Sequence, residues 1–486
     1  MVTNIVNIYG ICGFFTYFCI KIIFYINKMK LPKDFIVEIE SLMGAEEAGE
    51  LFHALDNPSP VSVRFNRAKI EAVAFDGVET DGVPWCVSGL YLDKRPEFIT
   101  DPRWHAGAYY VQEASSMFLE RVLEGYVRES SVMVDLCAAP GGKSTLASSV
   151  LPEGSLLISN EVMKQRSRVL AENMARHGNV DVVVTSADPQ AFGRMKNIAD
   201  VLLADVPCSG EGMFRKDQGA IDDWSLGNVD ICYKRQRRII ADAWDALKPG
   251  GLLIYSTCTY NTLENEGNVR WICEELGADV LHVPVADEWN ITGNLLDGES
   301  FPVYRFLPHK TYGEGLFMAV MRKAGEVVTT SAGRSKRLKK SKKCGGSAVP
   351  SIVKNWLVDA GEFDFSEDNG LVRAIRKIHK PVINLVSSEA YILSAGVKVG
   401  EIKGRDVLPS PELALSTSLL RGAFPEVELD EAAAVDYLRR EAIVLPAGSP
   451  RAVVLLTYGG LPLGFVKNLG NRSNNMYKAE WRIRFK

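Results

Sequence analysis

The sequence predicts an α/β chain built around a doubly wound, Rossmann-like sheet. Two observations carry that prediction. Short apolar runs alternate with helical stretches, at Val132–Leu136, Leu156–Ser159, Val182–Thr185, Val201–Ala204 and Leu252–Ser256, with a late run at Leu316–Met321. A Gly-rich turn follows the first run, where the carboxyl edge of a parallel sheet receives its ligand. The late run is expected as an antiparallel final strand, so that the sheet ends before Lys323. Of 486 residues, 47% are apolar and 24% charged, which fits a soluble globular chain and excludes a collagen-like, disordered or disulfide-stapled one. That length allows about three domains.

The elements follow in order. Residues 1–28 read as an apolar extension. Ile5 to Ile26 nears the roughly 20 apolar residues of a spanning helix. No A-x-A-like cleavage site follows it, and Lys30-Leu31-Pro32-Lys33-Asp34-Phe35 looks like a true beginning after Met29. An upstream start codon is therefore favoured over a membrane anchor. Residues 29–122 read as an N-terminal α+β module, in which Val61–Asn66 alternates as a strand should. Residues 123–323 hold the sheet. In its helix from Val162 to Arg176, Met163, Leu170 and Met174 share a face, with Val162 and Val169 beside it. Residues 324–348 form a linker with seven Lys or Arg between Arg334 and Lys343. Residues 349–400 are an intermediate region. Residues 401–486 form a last module with a Gly459-Gly460 turn and a basic tail.

Net charge is −4, so any surface for nucleic acid must be local. Nine cysteines without a CxxC pair suggest neither a zinc site nor a disulfide framework, and reduced thiols fit a cytoplasm.

Val134-Asp135-Leu136-Cys137-Ala138-Ala139-Pro140-Gly141-Gly142-Lys143-Ser144 joins strand to helix. Two ligands compete for it. Gly142-Lys143-Ser144 ends like a phosphate-binding loop, but the first glycine of that motif is replaced by Cys137. A nucleoside such as S-adenosylmethionine needs carboxylates at successive strand ends for ribose and adenine. Glu161, Asp188 and Asp205 follow the second, third and fourth strands, which favours the nucleoside.

Asp205-Val206-Pro207-Cys208-Ser209-Gly210 follows the fourth strand and Ser256-Thr257-Cys258-Thr259-Tyr260 the fifth. A lone buried cysteine is usually a small hydrophobe. Two at neighbouring strand ends, one beside a carboxylate, point to chemistry. Carbon 5 of cytosine is a poor nucleophile. Thiolate attack at carbon 6, with an acid at N3, makes carbon 5 enamine-like, so that it can take a methyl from a sulfonium. Elimination then removes the carbon 5 proton and expels the thiol.

These motifs, with Gln112-Glu113-Ala114-Ser115-Ser116 ahead of them, resemble the Nol–Nop–Sun family of RNA cytosine-C5 methyltransferases over about Pro32 to Lys323. The resemblance implies a Rossmann-like catalytic domain that uses S-adenosylmethionine, with an RNA-binding N-terminal module. It places the nucleophile on Cys258 and the release step on Cys208. Asp205 would touch the cytosine N3 or amino edge and the cofactor. Cofactor contacts fall on Cys137, Ala138, Ala139, Pro140, Gly141, Gly142, Lys143, Glu161, Asp188 and Asp205.

The ending, Leu461–Lys467, Asn471–Asn475 and Trp481-Arg482, is similar to the C-terminal region of bacterial RsmF-type enzymes, whose PUA-like module binds RNA. From Gly464 on there are six Lys or Arg and one acid, and Tyr477 and Trp481 suit base stacking. The basic linker reads equally well as a solvated tether or an RNA contact. The expected partner is small-subunit (16S) ribosomal RNA, free or in an assembling subunit. The enzyme is expected as a cytoplasmic monomer that needs no metal, DNA or membrane. The alternatives are a tRNA cytosine-C5 methyltransferase, a P-loop nucleotide hydrolase and a non-catalytic RNA-binding assembly factor.

Overall fold

A computed structural model describes residues 31–325 and 349–484. The apolar extension 1–28 and the Arg334–Lys343 run lie outside the described residues. Among the described residues, no helix is long and apolar enough to cross a membrane.

The chain forms two compact units. Among the described residues, one gathers those up to Pro60 with Val206–Ile239 and Tyr255–Met321; the other gathers Val61–Asp205, Ile240–Ile254 and those from Arg322 on.

The described residues open on two helices, α1 (Lys33–Met43) and α2 (Ala45–Leu55). There follow β1 (Val132–Asp135), α3 (Gly142–Val150), β2 (Leu156–Asn160), α4 (Lys164–His177), β3 (Val182–Ser186) and β4 (Ala199–Asp205). Next come α5 (Leu226–Ala243), β5 (Leu247–Thr257), α6 (Glu266–Leu276), β6 (Leu316–Lys323) and β7 (Tyr391–Ala395). Every strand expected between Val132 and Met321 is present.

In the unit up to Pro60, α1 and α2 turn at Gly44, whose φ of 83° suits a residue without a Cβ. Phe35 and Ile39 lie one turn apart on α1, and Ala48, Leu51, Phe52 and Leu55 form a stripe on α2. These faces are buried with Phe214, Ile221, Trp224 and Tyr260. The Phe35 ring stands edge-on to Phe214 at 5.1 Å and to Trp224 at 5.5 Å. The hairpin therefore backs the segment that carries Cys208.

In the other unit the strand order is β5-β4-β1-β2-β3-β7. β4, β1, β2 and β3 run parallel. Their runs, such as Val182-Val183-Val184, are apolar without alternation because both faces are covered. The chain winds outward from β1 to β3, then crosses back to β4, so the order reverses between β1 and β4.

Three expectations fail here. The sheet does not end before Lys323: β7 pairs antiparallel with β3, Tyr391 opposite Ser186 and Ala395 opposite Val183. Nothing in a five-residue strand says which sheet edge it will complete. Met163 does not share the buried face of Leu170 and Met174. It precedes the first turn of α4 and is exposed, because the helix begins one residue later. Tyr477 and Trp481 are not free to stack on bases. Both are buried in a core with Val63, Tyr109 and Tyr437, and the Tyr477 hydroxyl lies 3.2 Å from His105 Nδ1.

Candidate active site

The strand order reverses between β1 and β4, and the carboxyl edge at such a point is the usual place for a ligand in this topology. The Cys137–Lys143 loop lies there. It turns at Gly141, with φ 123°, and α3 starts at Gly142. The Ala139–Pro140 peptide is cis. Asp135 anchors the loop from below: fully buried, it accepts from Ser144 Oγ at 2.7 Å, and Ser144 in turn meets Ser159 at 2.8 Å. Its Oδ1 is buried with no partner, and burial pushes the carboxyl up to about 7.

Lys143 pairs with Asp205 at 2.9 Å, so two residues expected to touch the cofactor also touch each other. Glu161 is buried at the end of β2, accepts from Met163 N at 2.9 Å and pairs with Arg166 at 3.3 Å. Arg166 also donates to Ala139 O at 2.7 Å, tying Glu161 to the loop. Burial, then Asp135, Asp205 and Glu161, pushes the Cys137 thiol up. Asp188 is exposed and accepts from Gln190 N at 3.1 Å at the start of a short helix. Asp135 and Arg166 were not singled out in the sequence, although Asp135 heads the loop.

This edge suits S-adenosylmethionine. It offers a glycine turn, a helix start and carboxylates at strand ends, and a buried carboxylate oxygen still without a donor.

In the other unit, Cys208 and Cys258 come together. Their sulfurs are 3.2 Å apart, and Cys258 N donates to Cys208 Sγ at 3.4 Å. The hydrogen bond with Cys258, then burial, pushes the Cys208 thiol well above its ordinary value. Both cysteines are half-buried, between fully buried neighbours Ser209, Thr257 and Thr259. Beneath them is a polar network that sequence reasoning missed. Glu211 accepts from Tyr260 N at 2.6 Å and Trp224 Nε1 at 3.0 Å. Glu264 accepts from Ser209 N at 3.0 Å and Gln236 Nε2 at 2.6 Å. Glu266 and Arg305 form a fully buried bidentate pair, and Arg305 Nη1 also donates to Tyr260 O at 2.6 Å. The only signal was the acid-rich run Glu264-Asn265-Glu266 soon after Cys258. Among the described residues, no group of three or more His, Cys, Asp or Glu is arranged to hold a metal ion.

The doubly wound sheet and the loop at its switch point define an S-adenosylmethionine-dependent methyltransferase. The chain belongs to the family described as 16S rRNA methyltransferase RsmB/F, whose model matches residues 123–322. The N-terminal domain of 16S rRNA methyltransferase RsmF matches 31–114, and the methyltransferase RsmF PUA domain matches 424–483. The "Ribosomal RNA small subunit methyltransferase F" of Klebsiella pneumoniae (strain 342) is 28% identical over 473 residues, 93% of this chain and 97% of its own. A methyltransferase homolog protein from Pyrococcus horikoshii is 26% identical with a TM-score of 0.54, over 62% of this chain and 97% of that one. NSun6 from Pyrococcus horikoshii, solved with SFG, shares the fold at 23% identity and a TM-score of 0.52, over 61% and 99%.

Proposed function

We propose that this protein methylates carbon 5 of a cytosine in 16S ribosomal RNA, in the cytoplasm, through a covalent bond between Cys258 and carbon 6. The observation that carries the reading is the pair of sulfurs 3.2 Å apart. Methylation of an amine or a hydroxyl has no use for two thiols, whereas carbon 5 chemistry needs one to attack and one at release.

The residues divide the work as follows. Cys258 attacks carbon 6 as the thiolate. Asp205 passes a proton to N3 as electrons move onto the ring, and the carboxylate that remains pairs with Lys143 beside it. Bound S-adenosylmethionine supplies the methyl group that carbon 5 takes. Cys208 serves the last step: as a thiolate it takes the carbon 5 proton, the double bond reforms and Cys258 is expelled as a thiolate. Glu161 and the Cys137–Lys143 loop hold the nucleoside end of the cofactor, with Asp188 at the rim. The RNA-binding surfaces would include the PUA-like region at 401–486 and the N-terminal module.

The test is bisulfite sequencing of ribosomal RNA, incubated as naked 16S RNA and as small subunits with purified protein and cofactor. One new 5-methylcytosine in either substrate supports the reading. Methyl incorporation without 5-methylcytosine contradicts it, and modification confined to tRNA moves the substrate.

A further inference from the structure

Glu211 and Glu264 take no part in the chemistry above, yet each is buried and each serves the other thiol's loop. Glu264 lies beyond Cys258 in the chain but accepts from Ser209 N, the residue after Cys208, at 3.0 Å. Glu211 lies beyond Cys208 but accepts from Tyr260 N at 2.6 Å and Asn261 N at 3.2 Å, just past Cys258. Asn261 Nδ2 donates to both carboxylates, at 2.9 Å each. We propose that Glu211 and Glu264 form a reciprocal clamp that sets the distance between the two sulfurs and thereby the rate of release. The functional part of this proposal rests on the reading of Cys208 as the release thiol.

Three observations support the clamp. First, Ser209 N, Asn261 Nδ2 and Gln236 Nε2 all donate to the Glu264 carboxylate. A neutral amide could accept at only one of its two atoms, so these donors favour the carboxylate, against burial and Glu211, which push it up to about 7. Second, buried carboxylates are costly unless hydrogen-bonded, and charge-assisted bonds are about twice as strong as neutral ones. Two such groups under one loop pair hold it more rigidly than the neutral cross-links that accompany them, Gly212 N to Cys258 O at 2.7 Å and Ser209 Oγ to Thr259 Oγ1 at 2.8 Å. Third, the supports reach back into the fold. Glu211 is held by Trp224, which packs on Phe35 of α1, and Gln236 on α5 also donates to Pro207 O at 3.1 Å, the residue before Cys208. The sulfurs are therefore placed by buried groups behind the two loops. Glu211 and Glu264 are positioning residues.

The experiment uses Glu264→Gln and Glu211→Gln in the full chain. Phenylarsine oxide, which must bind two sulfurs at once, reads the spacing without RNA or cofactor, with Cys208→Ala as the blank. A clamp predicts capture weakened by about tenfold or more, since misplacement of about 1 Å costs up to 10²-fold. In steady state with RNA, kcat should fall by a similar factor with KM little changed, and the protein–RNA adduct should accumulate. In a Cys208→Ala background the same substitutions should add no further loss, which a merely structural role would not reproduce. If Glu264→Gln does not fold, Gln236→Met removes one donor and should give the same changes in smaller measure. Wild-type arsenical capture in the variants, or an equal further loss on top of Cys208→Ala, overturns the clamp. Clamp-dependent capture in a protein that makes no 5-methylcytosine would leave the spacing result standing and sink the reading of Cys208 instead.

Discussion

The two units hold their reactive groups by different means. Around the Cys137–Lys143 loop, placement comes from the backbone: a strand end, a glycine turn and a helix start, with Asp135 and Ser144 bracing it. Around Cys208 and Cys258, placement comes from side chains, with Glu211, Glu264, Asn261 and Gln236 bonded across two loops. A ligand that arrives and leaves needs a shaped edge. Two thiols that must act in turn need a fixed distance, and fixed distances in a protein come from satisfied buried networks.

The largest break in this comparison should come from truncation after Lys323. The thiol unit lies entirely before that point, whereas the cofactor unit loses β7 and the core partners Tyr437, Leu456 and Trp481 of Val63 and Tyr109. The β3 edge and a large apolar face would be bared. The fragment should unfold at a much lower temperature by calorimetry and lose S-adenosylmethionine binding by titration. Had the sheet ended before Lys323, cofactor affinity would survive, and a fragment that binds with full affinity would show that the C-terminal half is not needed by the loop.

Asp205 sharpens the comparison from the cofactor side. Asp205→Asn keeps the size and removes the proton donor, so single-turnover methylation at saturating cofactor should slow by about 10²–10⁴. A near-wild-type rate would mean that the residue only positions Lys143 and ligand.

On the thiol side, Glu266→Gln leaves Arg305 buried without its counter-charge, at a cost of about 3–5 kcal/mol in urea unfolding. A loss under 1 kcal/mol would show that Tyr260 O and the rest of the shell suffice for Arg305.

The smallest effect concerns Glu38 on α1. Burial, then Glu211 and Glu264, pushes its carboxyl from 4.5 to about 7. The folded protein therefore keeps a proton that the unfolded chain gives up, and the group costs stability as pH rises from 4.5 through about 7. Glu38→Gln should stabilise the protein at pH 8 by about 1 kcal/mol, a figure discounted for its partial exposure. At pH 4, where both forms are neutral, it should change nothing. Equal stability at pH 8 would remove Glu38 from the acidic cluster.

What the sequence made legible follows the same division. Strand–helix alternation, the Gly141-Gly142 turn and the acids after each strand are local patterns, and the structure places them at one edge. Cys208 and Cys258 stood out because each follows a strand end. Their supports did not, since Glu264 reaches Ser209 across 55 residues and Glu211 reaches Tyr260 across 49. No periodicity reports such a pairing. Burial was misjudged for a related reason. Tyr477 and Trp481 sit in a basic tail, and only their distant partners Val63 and Tyr109 reveal them as core. Arg64 likewise alternates as a solvent-facing strand residue, yet it is buried on Gln112, Thr145 and Ser149.

The covalent step is tested most directly by incubating Cys208→Ala and Cys258→Ala, each with cofactor and 16S RNA, and resolving protein from RNA on a denaturing gel. With Cys258 as nucleophile and Cys208 at release, Cys208→Ala should accumulate a protein–RNA band that survives denaturation, and Cys258→Ala should give none and no methylation. A band from Cys258→Ala and none from Cys208→Ala would reverse the two roles, and full methylation by Cys258→Ala would contradict the covalent mechanism altogether.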